Sequence, residues 1–185
     1  MAYKPLFSVI VPTRNRPEQL RLCLGAFCCL DYPRDRFEVI IVDDGSEKPL
    51  DKIVKAFDHP LNVTFIRQKN AGPAAARNTG ASRASGRFLV FTDDDCPPAP
   101  DWLEKLEKRF NETPDVAIGG RIVNFLRQNP YSVTSQVISD TAYAYYNPDP
   151  NRVRFIGAAN LSVPADHFHD ISGFDMDFST AEDRE

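Results

Sequence analysis

An α/β fold, with a mostly parallel, twisted sheet and helices on both faces, is predicted by three features of this 185-residue sequence. Short apolar runs alternate with stretches whose apolar residues recur at helical spacing, and the connections between them are short. The runs are continuous rather than alternating in polarity, as expected of strands covered on both faces. Repeated strand–helix–strand units with short joints favour right-handed crossovers, and hence parallel pairing.

The elements follow in order. Phe7 to Val11 reads as the first buried strand, stopped by Pro12. Asn15 and Glu18 have capping-box separation with Pro17 in the first turn, and Leu20, Cys23, Leu24 and Phe27 then mark one apolar helical face. A second strand, Phe37 to Val42, runs into Asp43-Asp44-Gly45-Ser46, and Leu50, Ile53, Val54 and Phe57 mark the next helix. Val63 to Ile66 is a third strand. Gly72-Pro73 opens an alanine-rich helix that carries Arg77 and Asn78 and is expected to close near Gly86. Phe88 to Phe91 is a fourth strand leading straight into Thr92-Asp93-Asp94-Asp95. Asp101 and Glu104 form a second capping-box pair ahead of Trp102, Leu103, Leu106 and Phe110, and a fifth strand is expected around Val116 to Ile118. Beyond about residue 126, Asn-Pro and Asp-Pro turns among Tyr131, Tyr143, Tyr145 and Tyr146 predict a loop-rich portion.

Composition narrows the function classes. Apolar residues make up 42% and charged residues 26%, the balance of a folded chain rather than a disordered one. A net charge of −4 without a basic stripe argues against a nucleic-acid partner. No apolar run has the length of a spanning helix, and the first residues lack the apolar core of a leader. Cys23, Cys28, Cys29 and Cys96 show no C-x-x-C spacing and are expected to be buried thiols of a reducing compartment. A cytoplasmic location is therefore expected.

The unusual polar residues collect just beyond the carboxyl ends of three strands, where open α/β sheets bind ligands. These are Pro12-Thr13-Arg14-Asn15, Asp43-Asp44-Gly45-Ser46 and Asp93-Asp94-Asp95. Three adjacent carboxylates repel one another unless a cation neutralises them. Alternation in an extended segment puts Asp93 and Asp95 on one side, and hard oxygen ligands of this kind suit Mg²⁺ or Mn²⁺. The competing reading is a capped turn ahead of Asp101, which accounts for one Asp better than for three. Asp43 to Ser46 reads either as a plain turn or as a carboxylate that accepts hydrogen bonds from a nucleobase or ribose. His167 and His169 lie beside Asp166 and Asp170, but alternate helical residues do not share a face, so a surface position is expected. The tyrosines from Tyr143 to Tyr146 suit a sugar-stacking wall or, more commonly, a core or interface.

Taken in order, Pro12-Thr13-Arg14-Asn15, Asp43-Asp44-Gly45-Ser46, Asn70 to Asn78 and Asp93-Asp94-Asp95 resemble the family 2 glycosyltransferases of GT-A fold. The resemblance resumes at Gly157 to Leu161 and Ile171 to Asp175, and ends at Glu182-Asp183. It implies an inverting, metal-dependent transfer of a sugar from a nucleotide diphosphate, UDP above all, to an acceptor hydroxyl, as in polysaccharide biosynthesis. Asp44 then matches the carboxylate that holds the base, in a pocket lined by Pro12, Thr13 and Arg14. Arg77 matches a basic residue near the nucleotide, against the plainer reading of a solvated helix Arg. Asp93 to Asp95 match a D-x-D motif, with Asp95 as direct ligand of Mg²⁺ or Mn²⁺ and Asp93 and Asp94 facing ribose or metal-bound water. Asp183 matches the catalytic base.

The resemblance also divides the chain into a nucleotide-sugar-binding domain, 1–125, and an acceptor-side portion, 126–185, expected to be cut short at its C-terminus. The acceptor is a carbohydrate, lipid or protein that the residues do not specify, and membrane contact is expected only through segments outside this chain. Two other readings stand beside this one. A sugar-phosphate nucleotidyltransferase would carry a glycine-rich basic loop where Pro12-Thr13-Arg14-Asn15 stands. A nucleotide-binding module would hold the donor without transferring its sugar.

Overall fold

A computed structural model describes residues 4–149 and 152–177. One six-stranded sheet contains β1 (Phe7–Thr13), β2 (Phe37–Asp44), β3 (Val63–Gln68), β4 (Phe88–Thr92), β5 (Ile118–Gly119) and β6 (Asn160–Pro164). Its order is β3-β2-β1-β4-β6-β5. The first four strands are mutually parallel, whereas β6 runs antiparallel to β4 and β5 antiparallel to β6. The helices are α1 (Pro17–Phe27), α2 (Asp51–Lys55), α3 (Pro73–Ala81), α4 (Trp102–Glu112), α5 (Pro130–Tyr146) and α6 (Ala165–Asp170).

Strand alternation sorts the core into two layers. Phe7, Val9 and Val11 of β1 join Phe37, Val39 and Ile41 of β2 on the face covered by α1, α2 and α4. Ile10, Ile40, Val42, Leu89 and Phe91 point the other way, against Ala76 and Ala81 of α3 and Phe168 of α6. The α3 layer is thin because its contact residues are small. A Cβ on Gly80 would lie 2.5 Å from Ile10 Cγ2 and 3.3 Å from Val42 Cγ2. At the amino ends of the strands, buried Glu38 accepts from Ser8 Oγ (2.6 Å), Ser85 N (2.7 Å) and Ser85 Oγ (2.8 Å), which satisfies a charge otherwise costly to bury.

Several local expectations give way. Neither predicted capping box forms: α1 and α4 start at Arg16 and Asp101 without a side-chain cap, and Asp101 instead pairs with Lys105 Nζ at 2.6 Å. Helix α3 ends at Ala81, short of Gly86. The fifth strand is only Ile118–Gly119, and it reaches the sheet through β6, a strand that the alternation pattern did not reveal. The stretch expected to be loop-rich holds the seventeen-residue α5, whose N-cap Asn129 accepts from Tyr131 N and Ser132 N. None of its residues is buried, so it carries no apolar stripe by which a helix is recognised. Of the four thiols only Cys23 is buried, and Cys29 is exposed; all four are free. No helix among the described residues is long and apolar enough to cross a membrane.

Candidate active site

The carboxyl ends of β1, β2 and β4 lie side by side because these strands are neighbours in the sheet. Thr13, the last residue of β1, pairs in register with Asp43 of β2. Two of the loops beyond them are laced together. Asn15 N donates to Ser46 Oγ (2.8 Å), and Glu47 N donates to Asn15 Oδ1 (2.8 Å), with Asn15 at φ 55°. This explains the failed cap, since the Asn15 side chain is committed across the loop. Gly45 has φ 77°, and a Cβ there would lie 2.7 Å from Asn70 N, so only glycine fits the turn.

Asp44 is buried and organises the next loop. Its Oδ1 accepts from Gln68 Nε2 (2.8 Å) and Ala71 N (2.9 Å), and its Oδ2 accepts from Gly72 N (2.9 Å). The carboxylate thus fixes the entry to α3; Oδ1 already accepts two bonds, and Oδ2, which accepts one, keeps a lone pair for a ligand. Asp43, fully buried, holds the turn by accepting from Ser46 N three residues on (2.9 Å) and lies 3.5 Å from Arg67 Nε.

The three aspartates after β4 reach outward to other elements rather than capping their own turn. Arg77 Nη2 donates to Asp93 Oδ1 at 2.7 Å from α3. Thr13 Oγ1 donates to Asp94 Oδ2 at 2.6 Å. Arg16 Nη1 donates to both Asp94 Oδ1 (3.1 Å) and Asp95 Oδ2 (2.9 Å). Burial raises the Asp94 carboxyl above its ordinary range, and the bonds from Thr13 and Arg16 oppose that rise. Arg77 is only 5% exposed, which rules out a solvated helix position and makes it a fixed positive group facing the triplet.

Two clefts flank the triplet. One of about 500 Å³ brings together Pro12, Thr13, Arg14, Asp44, Arg77, Asp93 and Asp94, with Arg16 and Gly72 added to them. The other, about 560 Å³, contains Asp95. Carboxylate oxygens of Asp93 and Asp95 and the Cys96 thiol lie within 4.8 Å of one another. Burial first, and then the neighbouring aspartates, push the Cys96 thiol up to about 12. It therefore stays protonated at neutral pH, and the donors left are two carboxylates, a set that suits a hard divalent cation.

Seven of the residues expected from the sequence thus share one cleft, Asp95 adjoins it, and Asp183 lies outside the described residues. His167 and His169 are exposed on α6. Tyr145 and Tyr146 are exposed, while the Tyr143 hydroxyl accepts from Gly157 N at 2.6 Å, so this group is not a core. Arg16 was missed. It stands next to the Pro12–Asn15 motif, but nothing in the sequence says that it faces Asp94 and Asp95.

Comparison with known proteins gives results of one kind. The family model described as "Glycosyl transferase family 2" matches residues 8–168. The glycosyltransferase AglE of Haloferax volcanii is 35% identical over 120 residues, covering 64% of this chain and 40% of AglE. The mannosyltransferase PcManGT of Pyrobaculum calidifontis, solved with GDP-Man and Mn²⁺, superposes with a TM-score of 0.74 at 25% identity, over 98% of this chain and 50% of that one. S. aureus TarS in complex with UDP shares the same GT-A fold, with a TM-score of 0.73 at 22% identity, over 96% of this chain and 52% of that one. The chain spans about half the length of these solved structures and less of AglE.

Proposed function

The chain belongs to glycosyl transferase family 2, and on that premise we propose that it moves a sugar from a nucleotide diphosphate, UDP foremost, to an acceptor hydroxyl with inversion. The observation that carries this reading is the single cleft in which Asp44, Thr13, Arg77, Asp93 and Asp94 meet, with Asp95 adjoining it. Solved relatives captured with UDP and with GDP-Man and Mn²⁺ support a nucleotide-sugar donor and a divalent cation.

The residues divide the work. Asp44, an acceptor-only carboxylate already oriented by Gln68, Ala71 and Gly72, takes a hydrogen bond from an N–H of the base. Pro12, Thr13 and Arg14 wall the base, and Arg14, exposed at the rim, meets solvent on its outer side. Arg77 supplies positive charge for phosphate oxygens from a fixed position in α3. Asp93 and Asp94 face the ribose side, with Asp94 held by Thr13 and Arg16.

Asp95, helped by Asp93, would hold Mg²⁺ or Mn²⁺. When bound, such an ion stabilises negative charge on the departing diphosphate as a Lewis acid. Asp183 takes the proton from the acceptor hydroxyl as that oxygen attacks the anomeric carbon from the face opposite the leaving group. A single displacement of this kind inverts the configuration.

Incubation with UDP-sugars and Mn²⁺, with product configuration read by NMR, tests this reading. Inverted product is expected, and Asp183→Asn should bind donor normally while turnover falls by about 10²–10⁴-fold. Retained configuration, or normal turnover in Asp183→Asn, would contradict it.

A further inference from the structure

Arg16 lines the donor cleft, yet the roles assigned above give it nothing beyond holding Asp94. Its side chain is half exposed, whereas that of Arg77, which also bonds the triplet, is buried on α3. The Arg16 backbone is nevertheless fixed. Leu20 N donates to Arg16 O at 3.1 Å, and the preceding Asn15 is bonded to Ser46 and Glu47 of the loop after β2. A long, solvated side chain on an anchored Cα can change partner without disturbing α1.

The present partners of that side chain bear on Asp95. Arg16 Nη1 donates to Asp95 Oδ2 at 2.9 Å and to Asp94 Oδ1 at 3.1 Å, while Asp95 Oδ1 accepts a long bond from the Cys96 thiol at 3.7 Å. A divalent cation held by the Asp95 carboxylate would meet this guanidinium as like charge at close range, so the two compete for one carboxylate. The bond to Asp94, and that carboxylate's charge, raise the Arg16 guanidinium above its ordinary value, so it leaves as a cation and no proton moves with it. Little opposes its leaving: the pair with half-exposed Asp95 is weak, and Asp94 keeps its bond from Thr13 Oγ1 at 2.6 Å. The same cleft is where the donor's diphosphate is expected, between the reach of Arg16 and fixed Arg77. A diphosphate offers a guanidinium fork more negative charge and more acceptor oxygens than one carboxylate oxygen does.

We propose that Arg16 is an exchangeable counter-ion: its guanidinium holds Asp95 until a nucleotide diphosphate draws it away, and that exchange frees Asp95 for the divalent cation. The inference rests on the donor and cation reading above and adds to it the residue that couples the two. Arg16 thereby disfavours the metal alone and favours the nucleotide, so the pair is taken up together.

The test is a pair of separate titrations of the 185-residue chain, wild type and Arg16→Gln, with folding checked by thermal unfolding. Mn²⁺ is titrated without nucleotide and read by the electron paramagnetic resonance signal of the free ion. UDP is titrated in excess EDTA and read by calorimetry. The two affinities are expected to move in opposite directions. Arg16→Gln should bind Mn²⁺ about threefold or more tighter, because its competitor on Asp95 is gone, and UDP about tenfold more weakly, as for one lost charge-assisted hydrogen bond. In wild type, the Arg16 Nε resonance, assigned by its loss in the variant, should shift when UDP is added in EDTA. A purely structural Arg16 would weaken both ligands or neither. Mn²⁺ binding to Arg16→Gln no tighter than to wild type would overturn the proposal, whether both bind or neither does. So would UDP affinity unchanged by the substitution, or an Arg16 resonance indifferent to bound UDP. Failure of wild type to bind UDP even with Mn²⁺ would instead strike the donor reading, and this inference with it.

Discussion

Arg16 and Arg77 divide three consecutive carboxylates between them, and that division sets the electrostatics of the site. Three carboxylates against two guanidinium groups leave a formal excess of one negative charge among these five side chains. The Arg16 side chain is half exposed, so its pair with equally exposed Asp95 contributes only about 0–1 kcal/mol. Asp94 differs because it is buried. Burial raises its carboxyl, so the folded chain holds this proton more tightly than the unfolded chain does. Its contribution to stability is therefore greatest in acid and is lost as pH rises through the raised value. Asp94→Asn keeps an acceptor for Thr13 and removes the titration. Wild type should gain stability relative to this variant as pH falls from about 7 to about 4, as read by urea unfolding. A difference that does not vary with pH, or one that grows on the alkaline side, would show that Asp94 ionises in the fold without a burial cost.

Helix α3 shows what an element contributes to the site and what its sequence reveals. It presents Arg77 to the triplet while Gly80 rests against Ile10 and Val42. Gly80→Ala should therefore destabilise the fold by about 1–3 kcal/mol through overpacking, less about 1 kcal/mol regained in helix propensity. Thermal unfolding checks this, and a stabilised variant would mean that the α3 layer has slack. The four parallel strands were legible because each holds a short, mostly apolar run, broken in β1, β2 and β3 only by Ser8, Glu38 and Thr64, and α1 and α4 because one face of each is apolar. Helix α5 was not, since it buries no residue and offers no period. Strand β6 was hidden because Asn160–Pro164 joins an edge by long-range antiparallel pairing, which local pattern does not encode. The capping boxes misled because spacing alone does not say where a side chain is already engaged: Asn15 is held by Glu47 N.

At the scale of the molecule, sheet order does what no single motif can. Residues from positions 12 to 94 meet in one cleft only because β1 lies between β2 and β4. The ordered motifs made most of the site legible in the sequence, since each follows a strand end. Arg16 was not, because its direction depends on how α1 begins after the φ 55° residue Asn15. The central claim is that Asp44 and Asp95 serve one ligand, a nucleotide diphosphate held with a divalent cation. Calorimetric titration of UDP tests it most directly, on wild type with Mn²⁺, on wild type with excess EDTA, and on Asp95→Ala with Mn²⁺. Binding with Mn²⁺ that weakens about tenfold or more both in EDTA and in Asp95→Ala, with the variant's thermal stability nearly unchanged, is the expected result. Equal affinity under all three conditions would contradict it, leaving the nucleotide cleft but reducing the aspartate triplet to a turn.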